Sequence, residues 1–155
     1  MVAGRLLKQF MRNGRKLRNR SLMKIQQSKG KLVKHFGEEF ILDLHNCDKS
    51  TFTRKSIRKY LIKLCDLIGM DRESLFWWDY YNSPIEYAKA PKHLKGTSAV
   101  QFIKTSNITI HTLDELRYVY VNIFSCKPFC AQIAANFTRE YFKGTVVKSR
   151  ILKRI

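Results

Sequence analysis

The sequence predicts an α+β fold: a two-layer sandwich in which a mostly antiparallel sheet carries two helices on one face. Three observations predict it. Short segments of apolar–polar alternation recur along the chain, as in strands buried on one side only. Two other segments place apolar residues at helical spacing, as amphipathic helices do. The two kinds are interspersed without the strict strand–helix alternation of a parallel sheet. A chain of 155 residues, 45% of them apolar, fits one domain with a real core.

Residues 1–35 read as a basic N-terminal extension. Leu6, Leu7, Phe10 and Met11 lie near helical spacing, as do Leu17, Leu22, Met23 and Ile25. Gly14 and Gly30 weaken both segments, so the expectation is a loosely formed helix or two. The folded domain is expected over residues 36–155. From Phe40 to His45, Phe40, Leu42 and Leu44 alternate with Ile41, Asp43 and His45, a half-buried strand. Asn46-Cys47-Asp48 breaks the pattern. Ser50, Thr51 and Thr53 offer N-caps for a helix whose stripe is Ile57, Tyr60, Leu61, Leu64, Cys65 and Ile68, with Gly69 as its C-cap.

Leu75 to Tyr81 is aromatic-rich and strand-like, and a loop with Pro84 and Pro91 is expected from Asn82 to Lys95. Thr97–Lys104, Asn107–Thr112 and Tyr118–Ser125 read as strands. Pro128 suits the first turn of a second helix. That helix would bury Ile133, Ala134, Phe137 and Tyr141 and stop at Gly144. Val146 to Leu152 is a last strand before a basic tail. The order is written β-α-β-β-β-α-β.

The formal charge is +18, and eleven of the 30 Lys and Arg but none of the 12 Asp and Glu lie in residues 1–35. Such a segment attracts polyanions such as RNA or an anionic surface. It is also the composition of a solvated tail. Phe10 is its one aromatic, so base stacking has little to use and only a weak polyanion contact is expected. The basic start is not followed by an apolar run, and no stretch approaches the ~18 apolar residues that cross a bilayer. The expectation is a cytoplasmic protein with reduced thiols and no membrane partner. Cys47, Cys65, Cys126 and Cys130 form no CxxC pair, and no metal site is expected.

No glycine-rich phosphate loop, HExxH or GxSxG is present. What remains is a group of Ser98, Ser106, His111 and Cys126 in the strand-rich half. Each alone has an ordinary structural explanation: a strand serine satisfying a backbone group, a hydrogen-bonded histidine, a cysteine packed as a small hydrophobe.

The segment Thr105-Ser106-Asn107-Ile108-Thr109-Ile110-His111-Thr112 resembles the processing site of the short, prokaryotic type of S-adenosylmethionine decarboxylase, roughly Glu-Ser-His-Ile-Ser-Ile-His-Thr. Three further stretches agree in order and spacing. Leu42-Asp43-Leu44-His45-Asn46-Cys47-Asp48 is similar to the family's first strand and Cys-Asp turn. Gly96-Thr97-Ser98 is similar to its Gly-x-Ser segment. Val121-Asn122-Ile123-Phe124-Ser125-Cys126 is similar to the strand ending in Phe-Thr-Cys. The resemblance spans about Gly37 to Arg150.

The resemblance implies a self-processing, pyruvoyl-dependent decarboxylase. Ser106 would be the serine converted to the covalent pyruvoyl cofactor by a cut between Thr105 and Ser106. His111 would be the processing base, Ser98 would assist the rearrangement, and Cys126 would protonate the substrate carbon. Asp43, Trp77 and Trp78 would contact substrate. Decarboxylation leaves a carbanion, and a carbonyl joined to the substrate amine as a Schiff base supplies the electron sink. The implied substrate is S-adenosylmethionine, for spermidine biosynthesis, and the implied assembly is a homodimer of processed protomers. Thr105 stands in place of the family's Glu, Asn107 in place of His, and Leu113-Asp114 in place of Trp-Pro; the loop from Tyr80 to Lys95 is longer. The alternatives are a related decarboxylase of arginine or ornithine, and an unprocessed, non-enzymatic homologue that binds polyanions.

Overall fold

The computed structural model describes residues 35–155. The helices expected between Leu6 and Ile25, and any polyanion contact of that segment, lie outside the described residues.

Among the described residues, six strands form one antiparallel sheet. They are β1 (Gly37–His45), β2 (Arg72–Asp79), β3 (Gly96–Ile103), β4 (Ser106–Leu113), β5 (Tyr118–Ser125) and β6 (Thr145–Arg154). Their order across the sheet is β2-β3-β4-β5-β1-β6. Two long helices, α1 (Arg54–Ile68) and α3 (Ala131–Phe142), share one apolar cluster with the strand residues that point their way. The expected α+β sandwich is what forms. It has one strand more than the written order counts. Gly96–Ile103 and Ser106–Leu113 are separate strands, as their segments read, joined by Lys104 and Thr105 alone, so four strands lie between the long helices where the written order has three.

Alternation decides which strand residues meet the helices. Phe40, Leu42 and Leu44 of β1, Ala99 and Ile103 of β3, Ile108 and Ile110 of β4, and Val119, Val121 and Ile123 of β5 are buried. Helix α1 contributes the whole expected stripe, from Ile57 to Ile68. Each Val, Leu, Ile or Phe among them is worth about 1.5–3 kcal/mol when fully buried. Thr53 caps α1, its hydroxyl accepting from Ser56 N–H at 3.2 Å, and Gly69 closes it in the left-handed region at φ 69°. Tyr60 is fully buried. Its hydroxyl donates to Thr138 Oγ1 at 2.8 Å, while the Thr138 hydroxyl donates to the Ala134 carbonyl at 2.6 Å.

Three local expectations change. The segment from Asn82 to Lys95 is not all loop. Pro84 starts a short helix, α2 (Pro84–Lys89), as its fixed φ allows, and Lys92–Leu94 adds a 3₁₀ turn. The last helix begins at Ala131, not Pro128. Ser125 ties up the intervening chain, accepting from Lys127 N–H and donating to the Lys127 carbonyl. With that start, the buried stripe of α3 is Ala134, Ala135, Thr138 and Phe142, with Phe137 and Tyr141 at its margin. Ile133 turns outward and is 45% exposed. Strand β2 runs from Arg72 to Asp79, so Tyr80 and Tyr81 lie beyond it.

The sheet face opposite the helices carries Phe76 and Trp78 of β2, Phe102 of β3, His111 of β4, Tyr120 and Phe124 of β5, and Asp43 of β1. Gly96 lets β3 pass close to β4: a Cβ there would lie 1.7 Å from the Thr112 carbonyl oxygen. No helix among the described residues is long and apolar enough to cross a membrane.

Candidate active site

Residues directly opposite on neighbouring strands share a face. One such row crosses the open face: Trp78, Ser98, His111, Tyr120, Asp43 and Lys148. It gathers four of the residues singled out from sequence: Trp78, Ser98, His111 and Asp43. Ser98 Oγ and His111 Nδ1 are 2.5 Å apart. Burial alone holds the His111 pKa below its usual value, so the imidazole stays neutral at neutral pH and can accept a proton. The Tyr120 ring lies 6.4 Å from that of His111 and within 7° of parallel. Burial, then the charge of Asp43, raises the Tyr120 pKa.

Trp77 lies on the other face. Its ring meets the guanidinium groups of Arg54 and Arg58, at 5.7 and 5.8 Å. Arg54 also holds Asp79 through two hydrogen bonds of 2.6 Å, which ties the start of α1 to the edge strand.

A second group forms where β3 turns into β4. Ser106 is 9% exposed, and its Oγ accepts from the Cys126 backbone N–H at 3.0 Å. The Cys126 thiol, exposed just past the end of β5, points at the Thr105 carbonyl oxygen, 3.7 Å away. One residue therefore touches both the hydroxyl and the carbonyl that a cut at this bond requires. Thr105 itself has φ 64°, in the left-handed region.

The two groups are apart. His111 is five residues along β4 from Ser106, so it lies roughly 17 Å away and on the opposite face. Ser98 and His111 come together, and Thr105, Ser106 and Cys126 come together, but one chain does not join the two sets.

Beside Asn107, a polar groove of about 360 Å³ opens on the same face as His111, lined by Glu39, Asn107, Thr109, Asn122, Phe124 and Arg154. Glu39 accepts from Asn122 Nδ2 at 2.9 Å and from Arg154 Nη1 at 2.5 Å. The Asn122 bond, then Arg154, hold the Glu39 carboxyl below its usual pKa. Sequence reading missed this groove and Tyr120. The phase of β5 places Tyr120, Asn122 and Phe124 on one face, but their neighbours on β1 and β6 follow only from register.

The sequence and the fold both have known relatives. The family model described as S-adenosylmethionine decarboxylase matches residues 38–155. The chain is 28% identical over 120 residues to the S-adenosylmethionine decarboxylase proenzyme of Caldicellulosiruptor saccharolyticus and equally to that of Caldicellulosiruptor bescii. Each match covers 76% of this chain and 87% of the relative. In fold, the chain is similar to the crystal structure of the adenosylmethionine decarboxylase from Aquifex aeolicus VF5. The TM-score is 0.63 at 18% identity, over 79% of this chain and 92% of the other.

Proposed function

The chain belongs to the S-adenosylmethionine decarboxylase family, and from that premise we propose that it is a proenzyme that cuts itself between Thr105 and Ser106 and then decarboxylates S-adenosylmethionine. The observation that carries the reading is the placement of Cys126, whose N–H holds Ser106 Oγ and whose thiol faces the Thr105 carbonyl. A thiol donor at that oxygen stabilises the negative charge that develops on attack.

The cut follows from these residues. Ser106 Oγ adds to the Thr105 carbonyl carbon and the C–N bond breaks, so the amide becomes an ester and the Ser106 nitrogen becomes a free amine. A base takes the Ser106 α-proton, and the Thr105 carboxylate leaves from Cβ. The dehydroalanine that remains takes up water and loses ammonia, which gives a pyruvoyl group at residue 106. The residues fit such a group: the serine is nearly buried, hydrogen-bonded and next to a thiol. When present, the group supplies a carbonyl for the substrate amine and an electron sink for the carbanion left by carbon dioxide. Cys126 is in reach of the same position and can return a proton to carbon. The groove beside Asn107, with Glu39 and the carboxamides of Asn107 and Asn122, opens on the His111 face, where Trp78 and Asp43 also lie, and offers polar contacts to a substrate held between two copies.

His111 is the base of this reading, with Ser98 holding its ring. Because His111 and Ser106 of one chain are roughly 17 Å apart, the working unit is a homodimer in which the Ser98–His111 pair of one copy serves the Thr105–Ser106–Cys126 group of the other. The open sheet face supports this, since Phe76 and Trp78 are each 59% exposed on it. The product feeds spermidine biosynthesis.

The test is release of labelled carbon dioxide from carboxyl-labelled S-adenosylmethionine. The intact chain should release it and Ser106→Ala should not. Release from arginine or ornithine instead would overturn the substrate; equal release by Ser106→Ala would overturn the pyruvoyl chemistry.

A further inference from the structure

Among the described residues, four other than glycine have positive φ: Asn46, Thr105, Arg117 and Lys143. Asn tolerates that region, and Lys143 caps the end of a helix. Thr105 is the only β-branched residue among them, and for such a residue φ 64° is a genuine outlier. The turn itself is disfavoured. Ile103 pairs with Ser106, so Lys104 and Thr105 form a two-residue hairpin connection. Only its second residue is left-handed, a place that calls for Gly or Asn, and hairpins favour turns of the opposite hand. Local preference and observed conformation conflict at this one turn.

Such a conformation persists only where its surroundings hold it. Here they hold it from both sides. The Lys104 N–H donates to the Asp71 carbonyl at 3.0 Å. The side-chain amide of buried Gln101 donates to the carbonyls of Glu73 and Phe102, both at 2.9 Å, which fastens the hairpin to β2. On the other side Cys126 grips Ser106 Oγ and faces the Thr105 carbonyl.

We propose that the left-handed Thr105 turn is a loaded element that drives the first step of self-cleavage. The inference rests on the self-cleavage reading. In the amide, one atom, the Ser106 nitrogen, separates the Thr105 carbonyl carbon from the Ser106 Cα. In the ester, Oγ and Cβ stand between them. The connection lengthens by one bond, and Thr105 can return to an ordinary φ while β3 and β4 stay paired. Conversion of an amide to an ester is uphill, and release of the turn offsets part of that cost. Thr105 acts as a positioning residue through its backbone, not its hydroxyl, which is engaged with the Lys104 carbonyl at 2.7 Å.

The experiment follows first-order cleavage of full chains made by cell-free synthesis, on denaturing gels. Thr105→Val keeps the branch and loses the hydroxyl, and should cleave several-fold faster than either of the next two variants. Thr105→Asn and Thr105→Gly, which accept the left-handed region, should cleave about tenfold more slowly. In uncleavable Ser106→Ala chains, Thr105→Asn should raise the thermal midpoint by about 3 °C, a gain that opposes the loss of rate. Cleavage of the Asn and Gly variants at or above the original rate overturns the proposal while the self-cleavage reading stands. An original chain that never cleaves overturns both.

Discussion

Ser98 and His111 face each other on β3 and β4, and the placement gives His111 a pH signature. Burial makes the folded imidazole less basic than the free one, whose pKa is 6.5. The acid limb of a His111-dependent rate should therefore lie below pH 6.5, and cleavage time courses across pH will locate it. Replacing the proposed base, His111→Gln, should slow cleavage by about 10²–10⁴-fold and remove that limb. Stability follows the same sign. Below pH 6.5 the unfolded chain takes up a proton that the folded chain resists, so stability falls as pH drops through that value and is intact above it. Ser98, Ser106, His111 and Cys126 stood out in the sequence as candidates because the resemblance fixes their spacing, and the structure pairs Ser98 with His111 and Ser106 with Cys126. Tyr120 and Glu39 were not, since nothing local marks a residue whose partners lie on another strand. Trp77 and Trp78 look equivalent as a pair, but period-two alternation sends them to opposite faces.

At the scale of elements, α1 and β5 were legible almost to the residue, because their patterns are local and strong. Thr53→Ala should lower stability by about 1 kcal/mol, read as a lower urea midpoint at unchanged slope. The clearest backbone constraint is at Gly96. Gly96→Ala puts a methyl against the Thr112 carbonyl oxygen, so the variant should separate β3 from β4 and lose both stability and the Ser98–His111 bond; thermal melting and the cleavage rate should fall together. Other elements were harder to read. Helix α2 has six residues, none buried, so no apolar stripe announces it. The start of α3 depends on the Ser125–Lys127 turn, whose hydrogen bonds have no sequence period. Strand β6 is exposed along its whole length at the sheet edge, so burial does not select its ends.

For the whole molecule, fold class was legible because half-buried alternation, two stripes and short connections allow few arrangements. The separation of the two residue groups was not, since the one-dimensional motif runs from Ser106 to His111 without revealing the length and turn of the strand between them. That separation makes a prediction about assembly. A Ser106→Ala chain retains His111, and a His111→Ala chain retains Ser106; neither should cleave alone. Mixed during synthesis, they should restore cleavage of the His111→Ala chain, and no cleavage in the mixture would rule out sharing between copies. The most direct measurement is the intact mass of the freshly purified chain. Two pieces, residues 1–105 and 106–155, the second lacking a free amino terminus, are what self-processing predicts. A single uncut chain after long incubation would contradict it.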